Sequence, residues 1–142
     1  MKNILVAIDG SKESKYILEV AKTFQEAFSC QITVLTVSPG LGHFTSNYSF
    51  AREINQVTED FFKEALDKAK TLFKDTDSVS FLFKEGKPAQ VIVETAQELE
   101  ADLIILGNRG LGAFSRTQLG SVSDKVAQMT SAHVFVVKEG RG

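Results

Sequence analysis

The sequence predicts a single-domain α/β protein, an open parallel sheet of five strands with helices on both faces. Three observations predict it. Strand-like and helix-like segments alternate along the chain. The strand candidates are continuous apolar runs rather than alternating ones, as expected of strands covered on both faces. The 142 residues hold no internal repeat and no interdomain linker, and that length suits one domain with a real core.

Each element has a local reason. Ile4 to Ile8 is an apolar run closed by Asp9-Gly10-Ser11. A helix follows to Phe28, with Ile17, Ala21, Phe24 and Phe28 at helical spacing and Ser11 or Ser14 as its expected cap. Ile32 to Val37 is the second strand, ended by Pro39-Gly40. Ser38 to about Arg52 is a long connection without clear periodicity, and connections of that length are often functional. Ile54, Val57, Phe61, Ala65, Ala69 and Leu72 then mark a long helix, its stripe widened by Phe62, Leu66 and Phe73. Val79 to Phe83 is the third strand, closed by Glu85-Gly86. Pro88 suits the first turn of a helix that puts Ala89, Ile92, Ala96 and Leu99 on one face. Leu103 to Leu106, a helix from Ser121 to about Thr130, and Val134 to Val137 complete the order. Pattern alone leaves two strand orders open, 2-1-3-4-5 and 3-2-1-4-5.

Composition excludes several classes. A net charge of −2 implies no broad attraction to nucleic acid. The single cysteine, Cys30, rules out an internal disulfide and a cysteine-built zinc site, and is expected as a small buried hydrophobe. His43 and His133 stand apart from any cysteine cluster, so no metal site is expected. The opening MKNILVAIDG is too short in apolar residues for a signal peptide, and no run approaches the roughly 20 residues of a membrane span. A cytoplasmic location is the expectation.

The chemistry concentrates between Leu103 and Val126. A strand leads into a loop with Gly107, Gly110, Gly112 and Gly120, and a helix starts at Ser121-Val122. Glycine lets backbone approach a ligand, and a helix start offers unpaired N–H groups and partial positive charge. The loop adds Arg109 and Arg116 and holds no acid. Polyphosphate suits it. Two familiar glycine motifs fail: Gly107-x4-Gly112 is followed by Ala113-Phe114 instead of the Lys-Ser/Thr of a P-loop, and Gly110-x-Gly112-x-x-Ser115 lacks the third glycine of a dinucleotide fingerprint.

The spacing Gly107-x2-Gly110-x9-Gly120-Ser121 resembles the ATP-binding branch of the universal stress protein family. The likeness extends over ILVAIDGS, GKPAQVIVETAQELEADLIILGNRG and LGSVSDKVAQMTSAHVFVVK. It implies the order 3-2-1-4-5, ATP as a bound ligand with or without Mg2+, and a homodimer formed through strand 5 (Val134, Phe135, Val136, Val137). It places Asp9 and Val37 at the ends of strands 1 and 2, Leu106 and Gly107 at the exit of strand 4, and a phosphate cradle at Gly110, Gly120, Ser121 and Val122. Many members have Ser-His where this chain has Asn108-Arg109, and Arg109 is expected to tune phosphate affinity or recruit a partner.

The residues taken singly agree. Ionised Asp9 only accepts hydrogen bonds, so it would face a base amine or ribose hydroxyls; its alternative role is to cap the first helix. Val37 and Leu106 would enclose an apolar base or simply fill the core. Ser121 would donate to phosphate, or serve only as a cap with Asp124. No general base and no metal-holding acids accompany the glycine loop, unlike an efficient kinase or ATPase. The expected protein is an ATP-binding stress-response regulator, ATP stabilising a state that an unidentified protein partner reads. The rivals are a slow ATPase or self-phosphorylating protein, modified near Ser121 or Ser123, and a nucleotide-free interaction module.

Overall fold

The computed structural model describes residues 2–38, 60–73, 77–108 and 121–138. Its elements are β1 (Asn3–Ile8), α1 (Ser14–Phe28), β2 (Gln31–Ser38), the described part of a helix α2 (60–70), β3 (Val79–Glu85), α3 (Pro88–Glu98), β4 (Leu103–Gly107), α4 (Ser121–Met129) and β5 (His133–Val137). All strand pairs are parallel, in the order β3-β2-β1-β4-β5. Of the two orders the pattern left open, this is the one the resemblance implies.

The apolar runs settle at the centre. Every side chain from Ile4 to Ile8 is at most 1% exposed, and Leu103 to Leu106 at most 4%. Alternate residues of these strands serve opposite layers. Ile4, Val6, Ile8, Val34 and Ile105 pack under α1 and α2 with Ile17, Leu18, Leu66 and Ala69. Leu5, Ala7, Leu35, Val37, Ile104 and Leu106 pack under α3 and α4 with Ile92, Ala96, Val122 and Val126. Each fully buried Leu or Ile stabilises by about 1.5–3 kcal/mol, so this two-sided core dominates folding. Cys30 lies in the α1 layer, and burial pushes its thiol up from the ordinary value of 9.0.

Two helix details differ from expectation. α1 begins at Ser14, and its cap position is Glu13, which makes no side-chain capping bond. The Ser14 hydroxyl is engaged in the turn described below, which Ser11 enters through its backbone N–H. Phe61 and Leu72, both read as part of the stripe of α2, are 53% and 42% exposed, while Ala65, Leu66, Ala69 and Phe73 carry the packing.

The amino edge of the sheet is tightly bonded. The Asp102 carboxylate accepts the backbone N–H of Lys2 at 2.7 Å and of Asn3 at 2.9 Å. These two N–H groups, that of Asn3 first, hold its carboxyl below the usual value of 3.8. The Asp102 backbone closes the frame, donating to Asn3 O and accepting from His133 N–H. One residue thereby ties the starts of β1, β4 and β5. Gln25 Nε2 donates to Ser78 Oγ at 2.8 Å beside the start of β3.

Candidate ligand-binding site

From β1 the chain winds outward through β2 to β3, then returns to the centre and winds the other way through β4 and β5. Such a reversal leaves a crevice beyond the carboxyl ends of the strands beside it, here β1 and β4. Asp9 follows β1, Val37 is the penultimate residue of β2, and Gly107 ends β4.

The β1–α1 turn is built around Asp9. Its Oδ1 accepts the Ser11 N–H at 2.8 Å and the Ser14 hydroxyl at 3.3 Å, and Ser14 Oγ accepts the Gly10 N–H at 3.1 Å. Asp9 therefore closes a turn ahead of α1 and does not occupy its cap. Gly10 has φ +84°, and a Cβ there would stand 3.0 Å from Ala65 Cβ and 3.3 Å from the Phe61 ring. The turn needs glycine twice over, for its angle and for the close passage of α2.

On the other face of the sheet, α3 and α4 start side by side on a groove of about 420 Å³. Its lining includes Lys87, Pro88, Ser121, Val122 and Lys125. Ser121 is the first residue of α4 and is exposed, whereas Val122 faces the core. Two helix starts carry partial positive charge into one groove, and two lysines share it. Asp124 opposes them in the first turn of α4, its Oδ2 engaged by Gln128 Nε2 at 3.1 Å.

Of the expected site residues, Val37, Leu106 and Val122 come together in one packed cluster. Val37 is 1% exposed and Leu106 fully buried, so their side chains form a floor and not an open clamp. Arg109, Gly110 and Gly120 lie outside the described residues, as does the connection over 39–52.

Sequence reasoning passed over three atoms. Among the described residues, Ser11 Oγ, Thr36 Oγ1 and Asn108 Oδ1 are the buried side-chain polar atoms without a hydrogen-bond partner. All three lie within three residues of a carboxyl strand end, those of β1, β2 and β4. Buried polar groups are nearly always paired, so an unpaired one calls for an explanation. No residue pattern announces these atoms, because their isolation depends on what the fold packs around them.

A five-stranded parallel sheet that reverses its winding between β1 and β4, with helices on both faces, defines a doubly wound, Rossmann-like α/β protein. The chain belongs to the universal stress protein family, whose family model matches residues 1–138. It is 34% identical to the universal stress protein MJ0531 of Methanocaldococcus jannaschii over 143 residues, covering 97% of this chain and 82% of that protein. The solved structure of the hypothetical protein MJ0577 superposes with a TM-score of 0.85 at 25% identity, covering 99% of this chain and 98% of that one. A universal stress protein solved in complex with cAMP gives a TM-score of 0.64 at 26% identity, with 96% of both chains covered.

Proposed function

We propose that this stress-response protein binds an adenine nucleotide, ATP, at the carboxyl edge of its sheet, as a ligand that stabilises a state read by a protein partner. The observation that carries the reading is the concentration of unpaired buried polar atoms at that edge. Two helix starts and two lysines in the adjoining groove supply charge suited to phosphate. The relative that holds cAMP supports an adenine nucleotide as the ligand class.

In this reading Gly107, Arg109, Gly110, Gly120, Ser121 and Val122 receive the phosphates through backbone N–H groups, the Arg109 guanidinium and the Ser121 hydroxyl. Val37 and Leu106 form the floor beneath the base. Asp9 is acceptor-only when ionised, so it faces the nucleoside and not the phosphates. That its Oδ1 is held by the Ser11 N–H and the Ser14 hydroxyl supports a fixed carboxylate there.

The test is thermal unfolding of protein stripped of nucleotide. A ligand bound only by the native state stabilises by about 2.7 kcal/mol at a hundredfold excess over Kd. A clear upward shift is expected with ATP, and no shift at millimolar ATP would sink the reading. The second part of the proposal is a homodimer paired through β5, an edge strand whose Phe135 is 41% exposed. Sedimentation at tens of micromolar should show two copies, and a monomer with and without ATP would refute it.

A further inference from the structure

Asn108 stands one residue beyond β4. Its backbone is fixed, for its N–H donates to Val137 O at the end of β5 at 3.1 Å. The residue is half-buried, and its side-chain Oδ1 is fully covered and unpaired. A buried amide oxygen without a donor is a standing cost to the free protein. A side chain selected for stability alone at this place would be apolar.

Building on the nucleotide reading above, we infer that Asn108 discriminates among nucleosides, its Oδ1 accepting a hydrogen bond from a donor on the ligand. The partner cannot be a phosphate oxygen, which is itself an acceptor. It is a ribose hydroxyl or the exocyclic amine of the base. These share the required chemistry, a polar hydrogen offered to a buried carbonyl. Asp9 serves the same nucleoside from the neighbouring strand β1, leaving the phosphates to α4. Asn108 is then a residue kept for recognition at the expense of the empty state.

The experiment measures Kd by titration calorimetry for ATP, 2′-deoxyATP, 3′-deoxyATP and inosine triphosphate on the full chain, together with the thermal midpoint of nucleotide-free protein. The wild type should reject the one analogue that lacks the matching donor by about tenfold, the value of one hydrogen bond with its unpaired acceptor left behind. Asn108→Leu should reduce that rejection to about onefold and raise the nucleotide-free midpoint by about two to four degrees. Asn108→Asp keeps an acceptor, so it should retain the rejection ratio while binding every triphosphate more weakly through repulsion.

An unchanged ratio in Asn108→Leu overturns the inference, whatever happens to its midpoint. So does a ratio lost equally in Asn108→Asp, which would make the amide nitrogen the contacting group. A wild type that binds ATP and all three analogues alike overturns the inference and leaves nucleotide binding standing. A wild type that binds none of the four removes the nucleotide reading and this inference with it.

Discussion

The two ends of the sheet are built to opposite rules. At the amino edge polar groups find partners: one carboxylate, Asp102, takes two backbone N–H groups and its own backbone bridges to Asn3 and His133. At the carboxyl edge Ser11, Thr36 and Asn108 each keep a covered polar atom without one. The central strands between them, β1 and β4, are continuous buried runs. The difference is therefore in the turns and strand ends: one margin pairs its polar groups within the fold, and the other leaves three of them covered and unpaired.

Substitutions can break that comparison or sharpen it. The largest effect is expected from Gly10→Val, which forces a branched side chain onto a φ of +84° and against Ala65 and Phe61. It should cost about 2–4 kcal/mol in denaturant unfolding. A smaller cost would mean that α2 moves away freely. Next come two changes of one chemical kind with opposite expected signs. Ser78→Ala removes the partner of Gln25 Nε2 and should destabilise by about 1 kcal/mol. Thr36→Val replaces a covered, unpaired hydroxyl by a methyl and should stabilise by about 1 kcal/mol. Equal signs would erase the distinction between the edges.

The smallest effect belongs to Asp102, which is exposed to solvent. Its carboxyl lies below 3.8 in the folded protein, so the ionised form is favoured by folding. That contribution is fully present above about 3.8 and fades as pH falls through the lower folded value. Asp102→Asn should accordingly lower the thermal midpoint equally at pH 7 and pH 5, and the gap should close in stronger acid. A gap that widens on acidification would reverse the sign of the argument.

The same contrast explains what could be read in advance. The core was legible because Ile4 to Ile8 and Leu103 to Leu106 are continuous apolar runs suited to two-sided burial, and Pro88 marked a helix start that the structure keeps. Ser11 and Ser14 read as caps of α1 because a serine before an apolar stripe usually is one. The Asp9 carboxylate takes the Ser14 hydroxyl and the Ser11 backbone N–H instead, and the Ser11 hydroxyl is left without a partner, an outcome invisible in residue order. Nothing in residue order marks the Asn108 side chain, and Thr36 reads like one more β-former in Ile32 to Val37. Their unpaired atoms are properties of neighbours brought in from distant segments. Val37 and Leu106 were legible as neighbours in space, yet their burial gives them to the core first.

The two outer strands of the sheet are unequally dressed. Lys63 and Lys70 of α2 lie over the rings of Phe83 and Phe81, each about 5.6 Å from the ring centre, on one side of β3. On the other side Lys84 bonds Thr95 and Glu98 of α3. Three ammonium groups thus surround β3, a dressing that discourages strand addition. The five residues of β5 hold no lysine, and Phe135 reaches across to Phe24 with the ring centres 5.5 Å apart. In the proposed pairing through β5, only one margin of the sheet would be open to another strand. Two copies joined in that way would present only lysine-bearing margins to a third, so growth would end at a pair and the stack of strands that would seed a fibre would not propagate.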